Sequence, residues 1–278
     1  MRTFVKYLGN KSRHLRHIIP HLPEDISSRT YVEPFVGSGA LFIHIQPRKW
    51  IINDINEDLI NVYNAIKSDA KQVVKNIKTF KTKTKFENIS TEEKNVIMKK
   101  TMLSFTKLPY NTLRASNYLL LNMTSFKGAL IVNGKYKFTG LESSIAHGSK
   151  PRIFNDSYLH NVKEISALLN SDGKIYNLDY KNILKKTTNN SFCFIDSPYD
   201  EEHDYQFTYN VAGKNKTNFV QELFVEVQKL DRKKVKWLMT QADTPNVRET
   251  YKHYTIIEYS AFRPFKQEFV TELIIKNY

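Results

Sequence analysis

Ser191-Phe192-Cys193-Phe194-Ile195-Asp196-Ser197-Pro198-Tyr199-Asp200 sets an apolar, aromatic run against an acid, a small hydroxyl residue, a proline and a tyrosine. The run has the length and composition of a buried strand. Pro198 has no N–H to give to a ladder, so the strand must stop at about Asp196. Asp196 and Tyr199 then stand just past a strand's carboxyl end, where open α/β sheets bind their ligands. An acid beside an aromatic face, on a turn stiffened by proline, suits a flat, hydrogen-bonding molecule of nucleobase shape. A plain strand-terminating turn accounts for the same residues, and this stretch alone does not choose between the two.

Upstream, Tyr31-Val32-Glu33-Pro34-Phe35-Val36-Gly37-Ser38-Gly39 reads as a strand running into a glycine turn, with an apolar helix after it. Glycines there let the backbone turn tightly and approach a ligand. Trp50-Ile51-Ile52-Asn53-Asp54 reads as a second strand ending in an acid. Strand, glycine turn, helix, strand and terminal acid make one βαβ unit, and an acid in that place takes ribose hydroxyls in nucleotide-binding sheets. Gly37, Gly39 and Asp54 therefore fit an adenosine-bearing small molecule. The alternative for Asp54 is a helix N-cap ahead of Asp58-Leu59-Ile60. Ile175 to Tyr180 is expected to be another strand ending in an acid, Asp179. Downstream, an amphipathic helix is expected over Phe219 to Leu230, and strands over Val235 to Thr240 and Glu268 to Ile275. Strands alternating with helices predict an α/β fold with a mostly parallel sheet in three layers.

With 278 residues, the chain is long enough for one large domain or one domain carrying an insertion. Lysine and arginine number 42 against 28 acids, a formal net charge of +14. That imbalance points to a polyanionic partner. The single cysteine, Cys193, excludes an intramolecular disulfide and a cysteine-based zinc site, and inside a strand it reads as a small core residue. No apolar run is long enough to span a bilayer, and the start lacks the apolar core of a signal peptide. An intracellular, reducing compartment is the expectation, with no membrane and no metal. His14, His17 and His21 resemble a metal cluster by count, but no acid accompanies them and Pro20 interrupts their helix. They read as one side of a solvent-facing basic helix.

Between the two halves of the sheet the texture changes. Ala70 to Lys100 is helical and rich in lysine. It reads as one side of a phosphate-lined cleft or simply as a solvated face. From Leu103 to Pro151, aromatics, asparagines and lysines alternate, with a hairpin signal at Asn133-Gly134. Basic side chains hold phosphates, while asparagine and serine side chains read base edges. Asn122, Ser125, Lys127, Asn133, Lys135 and Lys137 are the candidate contacts to DNA.

Five blocks in this order resemble the Dam-like DNA adenine methyltransferases: Tyr7-Leu8-Gly9-Asn10-Lys11, Val32 to Gly39, Asn53 to Tyr63, Asp179-Tyr180 and Asp196-Ser197-Pro198-Tyr199. The resemblance spans nearly the whole chain. It implies a Rossmann-like methyltransferase sheet, with residues 1–70 and 153–278 as the catalytic domain and 71–152 as an inserted target-recognition region. It also implies S-adenosylmethionine as cofactor and double-stranded DNA as partner. Tyr7, Lys11, Phe35, Asp54 and Asp196 are implied to contact the cofactor, with Asp179 near its adenine ring. The implied reaction is transfer of a methyl group to the 6-amino group of a flipped adenine at Asp196, Ser197, Pro198 and Tyr199. Ser197 departs from the family's first proline. The lost ring is expected to loosen the turn, which leaves a weakened or inactive DNA-binding homologue as the alternative.

Overall fold

The apolar runs pair into one seven-stranded sheet of order β5-β2-β1-β6-β7-β9-β8. The computed structural model describes residues 1–278 apart from 8, 129, 133–134, 200–218 and 264–267. The strands are β1 (Thr30–Glu33), β2 (Lys49–Asn53), the small hairpin pair β3 (Ile131–Val132) and β4 (Lys135–Tyr136), β5 (Asp172–Tyr176), β6 (Ser191–Ile195), β7 (Lys236–Ala242), β8 (Thr255–Arg263) and β9 (Glu268–Lys276). The helices are α1 (Leu15–Ile18), α2 (Ala40–Ile45), α3 (Glu57–Thr84), α4 (Thr91–Phe105), α5 (Thr112–Thr124), α6 (Ser143–Ala146), α7 (Asp156–Leu169), α8 (Tyr180–Leu184), α9 (Phe219–Arg232) and α10 (Pro245–Thr250). Strands β5, β2, β1, β6 and β7 are parallel, while β9 pairs antiparallel with both β7 and β8. Chain order reverses between β1 and β6, and the crevice at such a switch point is where α/β sheets bind ligands. The sheet is mostly parallel and Rossmann-like, as expected.

All five residues of β6 are buried. Phe192 and Phe194 join the core layer that holds Tyr31 and Trp50, and Cys193 and Ile195 join the opposite layer with Leu223, Val227 and Trp237. A strand covered on both faces needs an unbroken apolar run, which is what 191–195 supplies. Cys193 is wholly buried, and burial pushes its thiol up, so it behaves as a core side chain. Helix α9 covers the second layer by burying Val220, Leu223, Val227 and Leu230 along one stripe.

One expectation about the elements changes. The strand expected at Ile175–Tyr180 is β5, Asp172–Tyr176, and Asp179 lies beyond it as the N-cap of α8, accepting from the Lys181 N–H at 2.9 Å. Helix α3 is two helical segments that meet at a kink, where Asp69 has non-helical backbone. The expected domain boundary at 70–71 falls one residue past that kink. Buried residues of 71–152, among them Val73, Met98 and Leu119, share a core with Tyr31 and Trp50 of the sheet. Among the described residues no helix is long and apolar enough to cross a membrane.

One buried ion pair ties this region to the sheet. Arg114 on α5 meets Asp58 on α3 at 2.6 Å, with side chains 8% and 1% exposed. Its guanidinium also donates to the carbonyls of Phe105 and Leu108, which end α4. The Tyr136 hydroxyl of the hairpin donates to the same Asp58 carboxylate. A buried arginine is tolerable only when its fork is satisfied this fully.

Candidate active site

The glycine turn after β1 is dictated by backbone conformation. Gly37 and Gly39 have φ of 47° and 65°. A Cβ on Gly37 would lie 2.8 Å from the Tyr7 ring, and one on Gly39 would lie 2.6 Å from the Tyr63 hydroxyl. Only glycine fits both positions. The freed Gly37 N–H donates to the Asp54 carboxylate at 2.9 Å. Asp54 also accepts from the Asn56 N–H at 3.0 Å and from the Tyr7 hydroxyl at 3.4 Å. Asn56, not Asp54, caps α3, by accepting from the Leu59 N–H. Asp54 is therefore free of the capping role and faces the glycine turn. Burial pushes its carboxyl above the ordinary aspartate range against the pull of those donors.

Asn53, which the sequence reading passed over, holds this edge together. Its amide donates to the carbonyls of Pro34 and Leu178, and its oxygen accepts from the Leu178 N–H, all at 2.9 Å. The ends of β1, β2 and β5 are thereby fixed to one another. Glu33 at the end of β1 was also passed over. It is 2% exposed and accepts from the Tyr31 hydroxyl at 2.8 Å. Burial, then Asp196 and Asp54, push its carboxyl well above the usual range, against the pull of the Tyr31 hydroxyl. Acids thus end three adjacent strands, Asp54 after β2, Glu33 on β1 and Asp196 after β6.

Lys11 answers that concentration of acid. Its ammonium lies 2.7 Å from Asp196, with the side chain 6% exposed. Burial alone would lower its pKa, but Asp196 and Glu272 outweigh that and hold it above the ordinary lysine value. The same ammonium sits over the Tyr199 ring, 4.6 Å from its centroid. Asp196, Tyr199 and Lys11 therefore form one cluster.

Strands β7 and β9 brace the turn after β6 from behind. Thr240 donates to Asp196 at 2.7 Å, and the Gln241 amide donates to the Ser197 hydroxyl at 2.7 Å. Ser197 is 3% exposed. A proline cannot accept that bond, so a side-chain tie to β7 stands where the family's first proline supplies a ring. Tyr199 donates to Glu272 at 2.9 Å, and Tyr259 donates to the same carboxylate oxygen at 2.7 Å. His14 approaches the Tyr259 hydroxyl at 3.2 Å, and His17 stacks on the Tyr259 ring at 4.9 Å. This corrects the solvent-facing reading of those histidines: two of the three pack against the site's support. Among the described residues no cluster of histidine, cysteine and acid is arranged to hold a metal.

The other candidates separate. Phe35 is partly buried, with its ring against Tyr180 and Phe219. Asp179 is exposed at the start of α8. Asn122 is 1% exposed, and its amide is spent on the chain itself. It accepts from the Lys6 N–H and donates to the Lys6 and Gly128 carbonyls. Ser125 is wholly buried. Both were expected to contact DNA; the Asn122 amide is committed to backbone groups of Lys6 and Gly128, and the Ser125 hydroxyl is buried. Lys135 and Lys137 are exposed on the hairpin and Lys127 is half-buried beside it. Asn133, with Gly134, lies outside the described residues, as does the 200–218 stretch beyond the turn after β6.

A parallel sheet with a glycine turn after β1, an acid after β2 and an acid–aromatic turn after β6 is an α/β sheet of the class that binds ligands at the carboxyl ends of its strands. Comparison with known proteins narrows this. Residues 7–265 match the D12 class N6 adenine-specific DNA methyltransferases, and the chain belongs to that family. It is 25% identical over 292 residues to the Type II methyltransferase M1.LlaDCHI of Lactococcus lactis subsp. cremoris, covering 100% of this chain and 96% of that protein. It is 26% identical over 299 residues to the Type II methyltransferase M.CviBI of Paramecium bursaria Chlorella virus NC1A, covering 100% of both. It is 25% identical over 259 residues to a DNA adenine methylase of Haemophilus influenzae, covering 90% of this chain and 82% of that one.

Proposed function

We propose that this DNA adenine methyltransferase binds S-adenosylmethionine along the β2-β1-β6 edge and methylates a single adenine flipped out of duplex DNA. Asp54 and Asp196, at the ends of β2 and β6 on either side of β1 and with Lys11 beside Asp196, carry the reading: the edge offers carboxylates to a ligand with hydroxyls at one end and positive charge at the other. Tyr7, the turn at Gly37 and Gly39, Phe35 and Asp54 would hold the adenosine part, and Lys11 and Asp196 border the reacting end. The cofactor supplies an activated methyl on a sulfonium. Everything else is positioning by the chain.

Adenine's amino nitrogen is a poor nucleophile because its lone pair is delocalised into the ring. Asp196 and the Ser197 backbone carbonyl accept its two protons, which localises the lone pair, and Asp196 is placed to take the proton released on transfer. Tyr199 gives an aromatic surface for a base that must leave the helix. Lys11 and Thr240 fix the Asp196 carboxylate, while Glu272 fixes the Tyr199 hydroxyl. Ser197 is tied to Gln241 rather than loose, which supports the active reading over a DNA-binding homologue without transfer. The recognition region is proposed as residues 71–152, with Lys127, Lys135 and Lys137 toward the DNA.

Incubation with methyl-labelled cofactor and an unmethylated duplex library should yield 6-methyladenine in one sequence context; its absence from every context would sink the proposal. Tyr199→Ala should lose about 1–3 kcal/mol of base stacking in kcat/KM. Tyr199→Phe, which keeps the ring and loses only the bond to Glu272, should stay within about tenfold of the native chain, in line with one lost hydrogen bond. Equal losses in the two variants would remove stacking as the role of the ring. Asp54 must be ionised to accept ribose hydroxyls. Its raised pKa places the loss of cofactor affinity, as pH falls, at a pH above the ordinary aspartate value. Titration calorimetry across this range should show it, and an affinity as flat with pH as in Asp54→Asn would count against the assignment.

A further inference from the structure

After its kink at Asp69, helix α3 turns Val73, Val74 and Ile77 into the core. Its other face then runs Lys71, Lys75, Lys78 and Lys83, with exposed side chains. With Lys163 of α7 opposite, these line a groove of about 510 Å³ together with Thr79 and Thr82. No carboxylate lines it. Positions 71, 75 and 78 repeat at one helical turn, about 5.4 Å along the axis, so their ammoniums form a row.

These five lysines have no ion-pair partner among the described residues, unlike their neighbour Lys81, which pairs with Glu87 just beyond the helix at 2.7 Å. Glu164, next to Lys163 in sequence, does not line the groove. Crowding like charges in a concavity is unfavourable by itself and becomes favourable when a polyanion enters. The hydroxyls of Thr79 and Thr82 are exposed alongside, whereas Thr84 spends its own on the Phe80 carbonyl. A row of ammoniums with free hydroxyl donors between them is suited to a sugar-phosphate backbone.

Helix α7, which supplies Lys163 to the groove, also anchors the amino-terminal segment that leads to Tyr7 and Lys11. Asn161 on α7, two residues before Lys163, holds the backbone N–H and carbonyl of Arg2, each at 2.7 Å. From Arg2 to Tyr7 the chain spans at most about 18 Å.

We infer that the α3–α7 groove is a second phosphate-binding track, one that grips the duplex flanking the target and carries no sequence information. This rests on the DNA-methylating reading for its partner, but not on methyl transfer for its test. The experiment compares duplexes of about 10 and about 40 base pairs by fluorescence anisotropy across a salt series, for the native chain and for K71Q/K75Q/K78Q/K163Q. Surface changes of this kind leave stability within about 0.5 kcal/mol, which a melting curve checks. The native chain should bind the long duplex more tightly than the short one. The variant should lose most of that advantage, at least about tenfold, and the salt slope for the long duplex should fall by about 3, near 0.9 per lost phosphate contact. Affinity for the short duplex should stay the same. A native chain indifferent to length, or a variant whose loss is equal on both duplexes, would overturn the track. Tighter capture of a 40-nucleotide RNA than of the duplex, lost in the variant, would reassign the groove to RNA and overturn it equally. Absent methyl transfer with the length dependence intact would instead count against the catalytic reading alone.

Discussion

Asp196→Asn is expected to lower methyl transfer by about 10²–10³-fold, the usual cost of removing one preorganised polar group aimed at the reacting atoms. The substitution keeps size and shape but exchanges one acceptor oxygen for an NH₂ donor. That donor faces either the Lys11 ammonium, 2.7 Å from the present carboxylate, or the adenine amino group, and neither can accept it. Asp196→Ala should abolish transfer too, but by a less clean route. It strands a lysine ammonium that is 6% exposed, and breaking such a pair from one side costs about 3–5 kcal/mol. Single-turnover rates with saturating cofactor, beside denaturant unfolding of both variants, separate the chemical loss from the structural one. Near-normal turnover in Asp196→Asn would refute the role given to this carboxylate.

Arg114→Ala is expected to carry the largest stability loss, about 3–5 kcal/mol, because it leaves the Asp58 carboxylate buried without its partner. Asp58 is 1% exposed, so water cannot replace the guanidinium. The carbonyls of Phe105 and Leu108 lose their donor at the same time. Urea unfolding should show the shift, and a loss under about 1 kcal/mol would mean that the pair is solvated in solution. Tyr136→Phe removes only the hydroxyl that fastens the hairpin to Asp58, at about 1 kcal/mol. Its expected signature is weaker DNA binding with cofactor affinity unchanged. Asp58 lies on the first turn of α3, four residues past Asp54, so the hairpin and the cofactor edge hang from one helix end.

How far the site was legible follows from where each partner lies in the chain. The end of β6 at Asp196, the glycine turn and Asp54 are local patterns: a proline stops a ladder, a left-handed turn needs glycine, and an acid follows a strand within a few residues. Asn53, Glu33, Thr240, Gln241 and Glu272 are isolated polar residues in or beside apolar runs, with partners far away in sequence. Tyr199 and Glu272 are 73 positions apart, and Tyr259 and His14 are 245 apart. The one available signal was polarity inside a strand such as Thr240-Gln241, where a buried polar side chain demands a partner. Asn122 was misread for the converse reason. In a segment of alternating aromatics and lysines an asparagine looks like a base reader, but side-chain burial decides whether its amide is available.

By itself, the sequence determined the α/β class, the position of the glycine turn and that of the acid–aromatic turn, because strand ends, glycine turns and apolar runs are set by neighbours along the chain. Only the tertiary structure decided what braces that motif. Gln241 comes to Ser197 and Glu272 to Tyr199 because β6 lies beside β7, and β7 beside β9, once the sheet has formed, and Lys11 reaches Asp196 from the short amino-terminal turn 11–13. The same folding sorted the lysines, pairing some with carboxylates and leaving five around one groove. Charge along a chain does not specify which charges will meet; packing does.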